Sequence, residues 1–111
     1  FERDGDDLYH RHPISFPKAV FGATVEVPTV TGSTELDVPA GTQSGEELRI
    51  RGEGMPHLRG RGHGDLYVQV QVVTPDSLNE EQKEALEAFA EAGGEDVDVS
   101  EGFFEKIKNS F

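Results

Sequence analysis

The chain has 111 residues, 22 acidic against 10 basic, and a formal net charge of −12. Charge of that sign repels phosphate backbones and anionic headgroups, which disfavours nucleic acid and membrane surfaces as partners. With no cysteine, disulfides and thiolate zinc sites are excluded.

The length is near the commonest domain size and sufficient for a modest core. No apolar run approaches the span of a transmembrane helix, and no charged-then-apolar leader opens the sequence. A start at Phe1 rather than Met is expected of a piece cut from a longer protein, and the lack of cysteine suits a cytoplasmic one. The acidic excess predicts a solvated acidic surface. It also fits adaptation to high salt, because mutual repulsion is screened beyond about 8 Å at roughly 0.15 M ionic strength.

In chain order, residues 1 to 7 are charged and predict a turn broken at Gly5. Leu8, His10, His12, Ile14 and Phe16 alternate with Tyr9, Arg11 and Ser15, the period of a strand. Pro13 within that run predicts an edge strand or a bulge. Pro17 to Gly22 predicts a helical turn, since proline suits a first helical position and glycine a stop. Ala23, Val25 and Val27 mark a second strand, and Thr31-Gly32 a hairpin turn into Glu35–Val38.

Leu36 to Pro56 then reads as strand, tight connection, strand and loop. Leu36 and Val38 alternate with acids, and Leu48 and Ile50 with Glu47, Arg49 and Arg51, so each run is half-buried. Pro39, Gly41 and Gly45 predict a reversal between them. Arg59 to Gly64 reads as a flexible connection before the clearest strand, Leu66, Val68, Val70 and Val72, which Pro75 ends. Asn79 with Gln82 makes a capping box for a helix whose apolar residues are Leu78, Ala85, Leu86 and Phe89, stopped at Gly93. Residues 93 to 99 read as an acidic linker. Phe103, Ile107 and Phe111 then recur at four-residue spacing, as on one face of a last short helix. Five strands before the helix predict a mostly β fold: a small sandwich-like β-domain of short strands with a short helical turn and a C-terminal helix or helices.

Few constellations suggest chemistry. His10 and His12 project to one face of a strand, half of a metal site, with no third ligand placed by the sequence. Gly60, Gly62 and Gly64 lead into a strand, whereas a phosphate cradle needs a helix N-terminus. No nucleophile sits on a strand-to-helix elbow, and the carboxylates are spread over solvent faces. No catalytic residue, cofactor site or metal site is therefore assigned, and the chain reads as a non-enzyme.

Taken together, the ordered motifs are more specific than any one of them. Phe1-Glu-Arg-Asp-Gly-Asp-Asp-Leu8, Ile14-Ser-Phe-Pro-Lys-Ala-Val-Phe-Gly22, Val38-Pro-Ala-Gly-Thr-Gln-Ser-Gly45, Leu48-Arg-Ile-Arg-Gly-Glu-Gly-Met-Pro56 and Gly62-His-Gly-Asp-Leu-Tyr-Val68 follow one another over roughly residues 1 to 92. In that order and spacing they resemble the second C-terminal β-domain of the DnaJ (Hsp40) co-chaperones. His12-Pro13 is not the His-Pro-Asp motif by which that family's J-domain engages Hsp70, because Ile14 follows it.

The resemblance implies a β-domain over 1–76 and a C-terminal helical dimerisation region over 77–111. It implies binding of unfolded polypeptides, delivery to Hsp70 through a J-domain missing from these residues, and a homodimer. Zinc, common in the family, would belong to cysteine-rich modules also absent here. The candidate dimer interface is Leu78, Leu86, Phe89, Phe103, Phe104, Ile107 and Phe111, more apolar surface than one small acidic domain readily covers. The alternative is a β-sandwich ligand-binding or assembly module of another class, such as a carbohydrate binder, with Tyr9 and Tyr67 as outward aromatics.

Overall fold

A computed structural model describes residues 1–95. They fall in two compact units, Phe1–Thr74 and a second beginning at Pro75. The first is built from β1 (Glu2–Asp4), β2 (Asp7–Ser15), α1 (Phe16–Phe21), β3 (Ala23–Thr29), β4 (Gly32–Val38), β5 (Glu47–Ile50) and β6 (Leu66–Val73). The second holds α2 (Glu80–Ala92). The expectation of a mostly β, sandwich-like domain holds.

Two sheets form the first unit: four strands in the order β1-β2-β6-β5, and the hairpin β3-β4. Strands β2 and β6 run parallel, with Leu8 opposite Leu66 and Ser15 opposite Val73. The period-two pattern sets which face each strand buries. Leu8 and Ile14 of β2 and Leu66, Val68 and Val70 of β6 point into one core with Val25, Val27, Leu36 and Val38 of the hairpin. Ala19 of α1 joins them, and Leu48 and Ile50 pack at the margin. Val27, Leu66 and Val68 are fully buried; each such side chain contributes roughly 1.5–3 kcal/mol relative to exposure.

Several sequence expectations need correction. Residues 1 to 7 are not simply a turn: Glu2–Asp4 forms β1 and pairs antiparallel with β2, so six strands precede α2. The charge of β1 hid it, since all three of its residues are exposed and no apolar alternation marks them. Phe16 does not continue β2 inward but opens α1, where Ser15 is the N-cap and its Oγ accepts from the Lys18 N–H at 3.4 Å.

The connection after Leu36–Val38 is not a reversal that pairs its flanking strands, because β4 and β5 lie in different sheets. Residues 39–46 cross between the sheets and are fastened along the way. The Gly41 N–H donates to Ala19 O (2.9 Å), and the Gly45 N–H donates to Val70 O (2.7 Å) while Glu46 O accepts from the Val70 N–H (2.8 Å). Those last two bonds draw the chain onto β6, where β5 then pairs.

The Arg59–Gly64 connection is also more ordered than its composition suggests. Pro56 bridges His63, and the His57 N–H donates to Gly62 O at 3.0 Å. The turn hangs on a crowded corner, where Gly54 donates to Gly64 O (2.8 Å) and Met55 donates to Asp6 O (2.7 Å). A side chain at Gly54 or Gly64 would overlap the Asp6 carbonyl, so both positions require glycine for close backbone approach.

The second unit follows its sequence signals. Asn79 and Gln82 exchange the two bonds of a capping box, Gln82 N–H to Asn79 Oδ1 at 2.8 Å and Asn79 N–H to Gln82 Oε1 at 3.0 Å. The Gly93 N–H closes the helix on Phe89 O and Ala90 O.

Candidate functional site

Strand β2 is covered unequally on its side away from β6. β1 lies beside it only from Asp7 to Tyr9; from His10 to Ser15 no strand among the described residues pairs there. The Leu8 N–H donates towards β6, to Asp65 O at 2.9 Å. Backbone direction alternates along a strand, so His10, His12 and Ile14 also face β6. Arg11, Pro13 and Ser15 then turn their backbone groups to the open side. Pro13 therefore sits where its missing N–H costs no ladder bond, as the edge-strand expectation required. The edge offers the Arg11 N–H and C=O and the Pro13 C=O.

Beside this edge runs a groove of about 310 Å³, walled by His12, Pro13, Ile14 and Ser15 on one side and by Thr24, Val25 and Glu26 of β3 on the other, with Lys18 of α1 at its margin. Ile14 and Val25 belong to the core beneath it. The β3 wall is stiffened by paired side chains: the Thr24 hydroxyl donates to Asp37 Oδ1 (2.8 Å) and the Ser33 hydroxyl to Glu26 Oε1 (2.6 Å). Chemically, the groove presents a small apolar floor, a few hydroxyls and an incomplete row of backbone groups. It can take an extended chain through main-chain bonds, with little demand on its side chains.

His10 and His12 do share a face, with His10 Nε2 and His12 Nδ1 3.3 Å apart. Burial first, and then His12, hold the His10 imidazole below its ordinary 6.5. Among the described residues no three His, Cys, Asp or Glu side chains gather to hold a metal ion. Tyr9 and Tyr67, expected outward, lie opposite each other in the β2–β6 register on the face away from the core. Their rings stack at 5.1 Å with an angle of 15°.

Of the candidate dimer residues, Leu78 is buried at 7% exposure, while Leu86 and Phe89 on α2 are 41% and 62% exposed. On α2 it is Ala90 that is buried, with Lys83 and Glu87 half-buried and 3.8 Å apart. Phe103, Phe104, Ile107 and Phe111 lie outside the described residues.

The groove is not visible in the sequence, which has no means of showing where β1 stops covering β2. Pro13 was the one signal available.

The described chain is thus a two-sheet domain with an open-edged groove, followed by a capped helix. The chain matches the DnaJ C terminal domain over residues 1–75 and the chaperone protein DnaJ C-terminal region over residues 81–111. It is 78% identical over 111 residues to a protein named chaperone protein DnaJ from Natronomonas pharaonis, and equally to the one from Haloquadratum walsbyi. In each case the match covers 100% of this chain and 29% of the relative. The protein of that name from Enterococcus faecalis is 53% identical over 113 residues, again covering 100% of this chain and 29% of its own length. The chain belongs to the DnaJ C-terminal domain family and spans just under a third of those relatives. Membership does not favour the alternative of a carbohydrate-binding or assembly sandwich.

Proposed function

We propose that this chain is the client-holding and dimerising part of a DnaJ-type co-chaperone and has no catalytic activity of its own. The observation that carries the reading is the uncovered backbone of β2 beside the groove against β3. An unfolded polypeptide adds there as a further strand, with its small apolar side chains seated over Ile14 and Val25. Delivery to Hsp70, through a J-domain, and zinc binding, in cysteine-rich modules, belong to parts of a longer protein. In this reading the protein works in the cytoplasm.

Two substitutions test the edge in opposite directions. Arg11→Pro removes the only N–H that the open stretch from Arg11 to Pro13 offers, without touching the β6 ladder, so affinity for an unfolded client such as reduced, carboxymethylated lactalbumin should fall. Pro13→Ala restores a donor on the same side, and affinity should rise. One hydrogen bond contributes about 0.5–1.5 kcal/mol, or roughly two- to tenfold in Kd. Fluorescence anisotropy of the labelled client reads both. If neither variant changes Kd, or both shift it the same way, the client does not pair with this edge.

The dimer reading rests on Leu86 and Phe89, large apolar groups that α2 leaves exposed. An isologous contact would count each of them twice. Light scattering should give twice the 12.1 kDa chain mass. Leu86→Asp with Phe89→Asp should lower it towards one chain, and an unchanged dimer would place the interface elsewhere.

A further inference from the structure

The groove uses one edge of β2, and the same strand contributes to a second concavity, on the outer face of the four-stranded sheet. That hollow, about 390 Å³, is lined by Phe1, Glu2, Tyr9, Arg11, Glu47, Tyr67 and Gln69. Strand register accounts for it: Glu2 lies opposite Tyr9, Tyr9 opposite Tyr67, and one step along, Arg11 opposite Gln69 and Gln69 opposite Glu47. Two stacked rings form its centre, with carboxylates at both ends.

A cross-strand tyrosine pair stabilises a sheet by itself, but that role does not call for the charges around this one. Glu2 and Glu47 line the hollow, and Asp4 and Asp7 lie close enough to help raise the Tyr9 hydroxyl above its ordinary value, behind burial as the first cause. Two arginines stand against them. Arg49, opposite Tyr67, is held by Asp65 at 2.6 Å, which leaves Arg11 as the cationic side chain in the lining. The aromatic faces carry negative quadrupoles, and the surrounding field has the same sign.

We propose that this hollow is a binding site for a cationic side chain, an arginine or lysine presented by a polypeptide, set over the tyrosine rings between Glu2 and Glu47. Charge complementarity selects this occupant: ring faces and carboxylates both favour a cation, and a guanidinium can stack on a ring while pairing with a carboxylate. An anionic segment would meet both carboxylates, with Arg11 as the one cationic side chain in the lining to receive it. The hollow shares no lining residue with the groove, although Arg11 gives its backbone to the open edge and its side chain to the hollow, and the test of the hollow uses neither an Arg11 variant nor an unfolded client.

Tyr9 and Tyr67 are the chain's only tyrosines, and it has no tryptophan, so intrinsic emission reports from this site alone. The full chain is titrated at low salt with a blocked Gly-Arg-Gly-Arg-Gly peptide, and in parallel with its Glu counterpart. The arginine peptide should change tyrosine emission saturably, and the glutamate peptide should not. Glu47→Gln, which leaves the rings and the core in place, should weaken binding by about two- to fivefold, the range of an exposed ion pair or cation–π contact. Glu35→Gln, on an exposed position of β4 in the other sheet, should leave it unchanged. Circular dichroism confirms that both variants are folded. No emission change with the arginine peptide, equal changes with both peptides, or equal losses in the two variants would overturn the site. The last of these would reduce the effect to attraction by the overall charge of −12.

Discussion

The corner around Asp6, in the turn before β2, and the open stretch of β2 from Arg11 to Ser15 lie a few residues apart and are built in opposite ways. At the corner nearly every polar group is used. Asp6 O accepts from Met55, the Asp6 carboxylate meets His57 Nδ1 at 2.9 Å, and Asp7 Oδ1 accepts from the Asp65 N–H at 2.8 Å. Asp65 then takes Arg49 on Oδ2 (2.6–2.7 Å) and the Gly52 N–H on Oδ1 (3.0 Å). Along the open stretch, by contrast, alternate backbone groups face no strand among the described residues. One region fixes where the chain crosses itself; the other leaves bonding capacity for something else. A residue's fold role and its binding role are thus separated along a few residues of sequence.

The sharpest way to break the comparison is one small substitution in each region. Gly64→Ala puts a methyl against the Asp6 carbonyl and the Asp7 carboxylate, where backbone must shift. Overpacking against backbone should cost about 3 kcal/mol or more, the upper part of the range for such insertions. Pro13→Ala on the open edge breaks no ladder bond and should stay within about 0.5 kcal/mol of the parent. Urea unfolding of the first unit, followed by circular dichroism, compares them. Similar costs at the two positions would erase the distinction between a tied corner and a free edge.

This contrast also explains what could be read from the sequence. The motifs that marked the family, Asp-Gly-Asp-Asp-Leu near residue 6, Gly-Glu-Gly-Met-Pro near residue 54 and Gly-His-Gly-Asp-Leu near residue 64, meet at the corner. They were legible because close backbone approach and multiply bonded carboxylates tolerate few residue types. The buried faces of β2, β3, β4 and β6 were legible through their alternation, and α2 through its capping box. β1 was not, since three exposed charged residues carry no period. The crossing of residues 39–46 between sheets was not either, because the partner that draws it to β6 lies far along the chain. The groove depends on which strand edge stays uncovered, a property of topology rather than of any residue type.

The smaller effect lies in the titration of the corner. The backbone hydrogen bond from Gly52 first, and then the Arg49 guanidinium, hold the Asp65 carboxyl below its ordinary 3.8, against the opposing effect of burial. A carboxylate with a depressed folded-state pKa binds fewer protons folded than unfolded. Its stabilising contribution is therefore complete above pH 3.8 and is lost as pH falls from there through the lower folded-state value. Asp65→Asn keeps an acceptor for Gly52 but removes the charge that Arg49 requires. The variant should melt below the parent at neutral pH, and the gap should close as the parent is acidified below 3.8. Thermal melts between neutral pH and about pH 2.5 follow this window, where the reference carboxylate titrates. A gap that stays constant across it would mean that the Asp65 charge contributes nothing to stability, and that the other bonds of the corner hold it.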